Sequence, residues 1–369
     1  MSAEQWIERT IERAKTIQQV PAPTFAESAR AAMVQHLFIQ DGLADVQVDG
    51  VGNVLARLPG RGDARPLIVS AHLDTVFPAG TNLTLRRDLE MIYGPGIGDN
   101  SLGVAALFTL AWEFHERQAT LPGDIWLVAN VCEEGLGDLR GMHAIVDRFG
   151  SEVTAYLILE GMALGQVYHR GLGVRRYRIS VRTTGGHSWV DFGRPSAIHE
   201  LANIIGQLNK IKLPVQPRTT LNVGVISGGT SINTIAAHAT LELDTRSEGR
   251  QELMTLSRQV EQVVTDVQQM GNFQVTMELL GDRPTGEIPI THPWVRLAVE
   301  TLQELGLPAR LKIGSTDANV PLSRGFPAVT IGLTNGYGSH TVGEFIQIQP
   351  LSLGLEQLFN LVEKAFKLP

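Results

Sequence analysis

The chain has 369 residues, 43% hydrophobic and 19% charged, with a net charge of −7 and a single cysteine. That length predicts about two domains of roughly 100–200 residues each, and an acidic balance with no basic block argues against nucleic acid as a partner. One cysteine, Cys132, excludes an internal disulfide framework, while the lack of a basic-then-apolar leader and of any run of about 18 apolar residues predicts a cytoplasmic protein with no membrane partner.

Residues 4–19 and 25–41 have the periodicity of amphipathic helices, separated by Pro21-Ala-Pro23. Residues 46–58 alternate like strands around a turn at Gly50-Val-Gly52-Asn53. The run Pro66-Leu-Ile-Val-Ser-Ala-His72-Leu-Asp74 predicts a buried strand with polar residues at its carboxyl end. The loop Tyr93-Gly-Pro-Gly-Ile-Gly98-Asp99-Asn100-Ser101 feeds a helix over about 102–117, for which Asn100 or Ser101 is a suitable N-cap. Then comes Ile125-Trp-Leu-Val-Ala-Asn-Val-Cys-Glu133-Glu134-Gly135, an apolar run that reads as a strand buried on both faces and ends in two carboxylates. On an extended chain Glu133 and Glu134 point to opposite sides and can take different tasks. A helix near 138–148 and the strand 155–160 complete an alternation that predicts a parallel α/β sheet.

From about residue 175 the order becomes β-α-β-β-α-β: strand 176–184, helix 196–211, strands 219–227 and 239–245, helix 251–270 and strand 273–280. This is a split βαβ arrangement and predicts a compact insert with its own core. Residues 286–369 return to the first pattern, with a helix over 292–305, strands at 310–313 and 328–333, and a last helix over 351–367. The expected organisation is therefore a discontinuous domain, 1–174 and 285–369, interrupted by a smaller one, 175–284.

In open α/β sheets, function collects beyond the carboxyl ends of the strands. Those ends carry His72, Asp74, Glu133, Glu134 and Glu160, with Asp99 and His340 in nearby loops. Each residue alone has an ordinary structural explanation: a core histidine, a turn aspartate, a helix cap, a surface glutamate. Together they form the nitrogen-and-oxygen donor set expected for zinc, cobalt or manganese. So many acids crowded together would repel unless cations neutralised them. Two divalent ions sharing a bridging carboxylate would do so, and would also activate a water.

His72-Leu-Asp74-Thr-Val, Gly98-Asp99-Asn100, Glu133-Glu134-Gly135 and the late His340 resemble the dizinc peptidase family of peptidase T, carboxypeptidase G, succinyl-diaminopimelate desuccinylase and the aminoacylases. The resemblance spans essentially the whole chain. It implies a catalytic domain with a mixed, mainly parallel sheet and flanking helices, and makes 175–284 an α+β, ferredoxin-like lid and dimerisation domain. It implies two divalent ions per chain, zinc in the first place, with cobalt or manganese as alternatives. His72 and Glu160 would hold one ion, Glu134 and His340 the other, and Asp99 would bridge both through a loop whose Asp99–Asn100 peptide is cis in the family. Asp74 would orient the His72 ring by a hydrogen bond, and Glu133 would move the proton of the attacking water. In the lid, Gly185-Gly-His187-Ser-Trp resembles the block whose histidine reaches the oxyanion, often from a partner subunit. Ser231-Ile-Asn233 and Asp244-Thr-Arg246 resemble the family's substrate-binding asparagine and carboxylate-binding arginine, and Gly314-Ser315-Thr-Asp its pocket loop. Asn at 100, where several relatives have Asp or Gly, leaves the bridge untouched but bears on its support, and Glu rather than Asp at 160 fits several branches without fixing specificity.

The activity implied is cleavage of a short peptide by metal-activated water. The alternative is hydrolysis of an N-acyl or carbamoyl amino acid by the same chemistry, and a non-catalytic relative would have lost a ligand or the base. A serine hydrolase lacks its Gly-x-Ser-x-Gly, and Cys132 in a buried run is a poor nucleophile. Gly94-Pro-Gly-Ile-Gly98 has the wrong spacing for a dinucleotide loop.

Overall fold

A computed structural model describes residues 2–368. The chain folds as two compact units; one runs to Gly171 and resumes at Gly286, and the other is Leu172–Thr285. The larger unit is built on a mixed sheet whose centre is four parallel strands, in the order Ile125–Asn130, Leu67–His72, Ala155–Glu160 and Ala328–Gly332. All six residues of Leu67–His72 are buried, as a strand covered on both faces requires, which is why the sequence there is apolar without alternation. Antiparallel strands flank this centre. Val54–Leu58 pairs with Ile125–Asn130, and Gln166–Gly171 with Ala328–Gly332.

The helix Gly103–Glu116 is buried from Gly103 through Phe114, and Ala3–Gln18 and Leu351–Ala365 pack beside it. Aromatic pairs close the core, with Trp6 stacked on Trp112 at 6.5 Å and Phe38 on Phe108 at 4.4 Å. Among the described residues no helix is long and apolar enough to cross a membrane.

Four short strands form a second sheet in this unit, in the order Gly336–Tyr337, Phe345–Gln347, Met91–Tyr93 and Arg86–Arg87. Two or three residues each, they are too brief to show a period, and the sequence reads there as loop. Their effect is large, because they lay the turn that carries His340 beside the segment that leads into Asp99.

The end of the Ile125 strand and the cap of the Gly103–Glu116 helix differ from the sequence-based expectation. The Ile125 strand stops at Asn130, and Cys132 is left-handed, with φ +59°. Opposite sides of an extended strand therefore do not separate Glu133 from Glu134. Neither Asn100 nor Ser101 caps the following helix, whose N-cap position is Leu102 with no side-chain bond. The Asn100 amide instead donates to the Leu159 carbonyl, and its oxygen accepts the Gly161 N–H. That ties the Asp99 loop to the end of the Glu160 strand. The Asp99–Asn100 peptide is cis.

The second unit is an antiparallel four-stranded sheet in the order Thr219–Gly228, His238–Ser247, Gly173–Arg182 and Gln274–Arg283. The helices Ala197–Leu208 and Arg250–Gln268 pack on it. Tyr177, Ile179, Val181, Leu201, Leu241 and Val260 belong to its core. Alternate residues of the Gly173 strand turn outward, where Arg176 meets Asp244 and Arg178 meets Glu242.

Candidate active site

The parallel strands deliver their carboxyl ends to one place, and the loops beyond them bring the predicted ligands together. His72 closes its strand and is 2% exposed. Its Nδ1 lies 3.0 Å from the main-chain carbonyl of Asp74, so the neutral ring carries its proton there and turns the Nε2 lone pair outward. That nitrogen is 3.2 Å from Asp99 Oδ1 and 3.8 Å from Glu160 Oε2. On the other side, His340 Nε2 lies 3.1 Å from Glu134 Oε1 and 3.4 Å from Asp99 Oδ2. Asp99 thus offers one oxygen to each imidazole. Ligand atoms of His72, Asp99 and Glu134 all lie within 4.8 Å of one another.

Asp74 differs from the expectation. Its carboxylate is 3.7 Å from the His72 ring and instead accepts the backbone N–H groups of Glu133, at 2.9 Å, and Glu134, at 2.8 Å. Thr24 donates a third bond, at 2.9 Å. The ring is oriented by the Asp74 carbonyl; the carboxylate shapes the turn that presents the glutamate pair. Arg30, buried beneath, donates to the Leu73 and Val20 carbonyls and adds a positive charge near Asp74.

The electrostatics follow from the crowding. Burial alone would depress the basicity of His72, but Asp74, Asp99, Glu160 and Glu133 outweigh it and hold the ring well above its ordinary pKa. Hydrogen bonds to Asp99 and Glu134 push His340 up to about 10. Burial would raise Asp99, yet the two imidazoles hold it well below the usual carboxylate range. Burial pushes Glu160 well above that range, with Asp99, Glu133 and Asp317 adding to it and His72 opposing. Burial also takes the Cys132 thiol, beside Glu27, up to about 12, which keeps it protonated and unsuited to nucleophilic attack.

These residues fit a pair of divalent cations. Two imidazole nitrogens, each facing carboxylate oxygens and sharing Asp99, form a hard-to-borderline donor set whose negative charge protons on the rings only partly balance. A cation at the His340 side must displace a proton from a ring whose pKa is about 10. Uptake at neutral pH should therefore release protons, and affinity should rise with pH, about tenfold per unit for each proton displaced. Calorimetric titration in buffers of different ionisation enthalpy measures that release; pH-independent binding without protons released would contradict it.

The remaining predicted residues belong to the smaller unit or to the 314–317 segment of the larger one. A two-stranded ribbon pairs Gly186–His187 with Thr234–Ile235, which sets His187 beside Asn233. His187 Nδ1 accepts the N–H groups of Trp189, at 3.2 Å, and Val190, at 3.4 Å, and its own N–H donates to Asp191 Oδ2 at 2.8 Å. The Asn233 oxygen accepts from the Ser231 hydroxyl. Arg246 is paired in its own strand with Asp244, through Nε at 2.8 Å. Gly314 ends the Arg310–Gly314 strand in the larger unit and Ser315 follows it.

Sequence reasoning missed Glu344, which is 0% exposed. Its carboxylate accepts N–H groups from Gly96, Gly98 and Asp99. Burial pushes it up to about 7 against those three donors. The available signal was an acid four residues after His340 in an otherwise uncharged loop.

The model of Peptidase family M20/M25/M40 matches residues 68–364. The succinyl-diaminopimelate desuccinylase of Corynebacterium glutamicum is 26% identical over 328 residues, covering 85% of this chain and 86% of that protein. A tripeptidase from Staphylococcus aureus superposes with a TM-score of 0.82 at 25% identity, over 98% of this chain and 99% of its own. The Bacillus subtilis YXEP protein, described as a dinuclear metal binding peptidase, shares the fold with a TM-score of 0.71 at 16% identity, over 99% of each chain. With a family match across most of its length and a His/Asp/Glu cluster at the ends of its central strands, the chain belongs to peptidase family M20/M25/M40 and is a hydrolase.

Proposed function

We propose that the protein is a dinuclear metal-dependent exopeptidase that cleaves a short peptide. The observation that carries this reading is the division of Asp99 between two imidazoles, one paired with Glu160 and the other with Glu134. Two divalent ions, zinc in the first place, with cobalt or manganese as alternatives, would be held by His72, Glu160, Asp99, Glu134 and His340; they would polarise the scissile carbonyl and acidify a water. Glu133, whose N–H is fixed by Asp74, takes the proton of the attacking water and returns it to the leaving nitrogen. His187 is the oxyanion donor of this reading: two backbone N–H groups occupy its Nδ1, so the neutral ring carries its proton on Nε2. Asn233 and Arg246 are its substrate-binding residues, Arg246 through the N–H groups not turned to Asp244, and Gly314 and Ser315 line the pocket.

Hydrolysis of an N-acyl amino acid is the second reading, favoured by the similarity to a desuccinylase. A panel of dipeptides, tripeptides, N-acetyl, N-succinyl and N-carbamoyl amino acids, run on protein loaded with two equivalents of metal, decides. Preference for a peptide supports the first reading, and preference for an acyl or carbamoyl substrate replaces it with the second. Replacing His187 by alanine should lower kcat by about 10²–10³, the loss typical of one oxyanion donor, with metal content unchanged. An unaltered kcat would remove His187 from that role.

The smaller unit is also the proposed dimerisation surface. Its edge strand Thr219–Gly228 leaves Val225 and Ile226 more than half exposed, and an exposed apolar edge is a template for pairing. Light scattering that finds a monomer at micromolar concentration would oppose this.

A further inference from the structure

Asp99 can serve two cations only if its loop holds the carboxylate midway between the imidazoles. That loop, 94–99, has glycine at 94, 96 and 98 and runs into a short helical turn, Ile97–Leu102, whose backbone is non-helical at Asp99 and Asn100. Glycine-rich segments lose much entropy on ordering, so something must hold this one in place.

Glu344 is built to do so. Its Oε1 accepts the N–H of Gly98 at 2.7 Å and of Asp99 at 2.8 Å, and its Oε2 accepts the N–H of Gly96 at 2.9 Å. Its main-chain carbonyl accepts the Gly94 N–H at 2.9 Å. A Cβ added at Gly98 would meet Met162 Cγ at 2.7 Å and Ile346 Cγ2 at 2.8 Å. The loop is therefore bonded to the Glu344 carboxylate and packed at Gly98 against these two side chains. Glu344 also lies four residues beyond His340 and immediately before the Phe345–Gln347 strand, which pairs with Met91–Tyr93. One side chain thus links the turn that carries His340 to the loop that carries Asp99. Only a carboxylate presents acceptors at both ends of its fork; an amide has one donor end.

We propose that Glu344 is a positioning residue: it staples the Asp99 loop to the His340 turn and presets the shared carboxylate before any cation arrives. This rests on the dinuclear reading above. Residues that support ligands in this way typically change metal affinity by about 10–100-fold when altered.

The test uses the full chain. Glu344→Gln keeps the shape but sets an NH2 group against a backbone N–H. Calorimetric titration of metal-free protein with zinc should show two sites in the wild type, and affinity reduced by about 10–100-fold in a folded Glu344→Gln variant. A purely structural role would lower Tm and leave the isotherm unchanged, and unchanged affinity in the folded variant overturns the proposal. Hydrogen–deuterium exchange on the wild type makes the question independent of whether the variant folds. The 94–101 segment should be protected in metal-free protein to within about tenfold of the Leu67–His72 strand. Protection that appears only after zinc is added would mean that the cation, not Glu344, orders the loop, and overturns the proposal. Fewer than two zinc ions bound by the wild type would instead sink the dinuclear reading, an outcome separate from both of these.

Discussion

Glu133→Gln should bind two equivalents of metal with wild-type affinity and turn over about 10²–10⁴ times more slowly, the usual contribution of a positioned general base. The substitution is isosteric and leaves the Glu133 N–H bonded to Asp74, so the turn that presents Glu134 should persist. What it removes is a carboxylate that the ligand cluster feels electrostatically, since Glu133 adds to the upward shifts of His72 and Glu160. The diagnostic is the split. Metal content and KM should hold while kcat falls, and added metal should not restore it. Turnover close to wild type would remove Glu133 from the proton-transfer role and leave the attacking water without a base among the adjacent acids.

His72→Ala should behave in the opposite way. The ring is buried, held at Nδ1 by the Asp74 carbonyl, and its Nε2 faces both Asp99 and Glu160. The Leu67–His72 strand is paired on both sides, with Ile125–Asn130 and Ala155–Glu160, so its end is fixed in place. Removing the imidazole leaves two carboxylates facing each other with one nitrogen fewer to neutralise or ligate. One equivalent of metal should then bind more than about 100-fold more weakly, since even residues that merely support a ligand cost 10–100-fold. Turnover should fall with it and recover in part at high metal concentration. Equilibrium dialysis followed by elemental analysis measures the first effect and activity against free metal the second. A His72→Ala protein that retains two tightly bound ions would refute the assignment of His72 as a ligand.

Much of this arrangement was legible in the residues themselves. Leu67–His72 and Ala155–Glu160 are apolar without alternation because both faces are covered, and that pattern survives in a bare sequence. Ala197–Leu208 and Arg250–Gln268 keep a helical period because only one face meets the inserted sheet. The ligand types were recognisable because imidazoles and carboxylates at strand ends, in this order, resemble a known family.

Other features were not legible, for physical reasons. The Ile125 strand ends at Asn130, and Cys132 beyond it is left-handed, a conformation that no propensity singles out. The family resemblance implies that the Asp74 carboxylate bonds the His72 ring, whereas two backbone N–H groups of the turn after the Ile125 strand claim it. Position before a helix makes Asn100 or Ser101 the expected cap, yet the Asn100 amide bonds instead to Leu159 and Gly161. Glu344 passed unnoticed because its partners are backbone amides some 245 residues away in the chain, and backbone amides carry no signature in a sequence.

The sequence by itself determined the order of the long helices and of the parallel strands, the buried centre of the larger sheet, and the inventory of nitrogen and oxygen donors, because burial pattern and side-chain chemistry are properties of short stretches. It did not show Gln166–Gly171 or the four short strands. Only the tertiary structure decided that Asp99 is shared between two imidazoles, that a main-chain carbonyl orients His72, and that a buried glutamate holds the loop between them. Those are distances between groups far apart in the chain, and packing sets them.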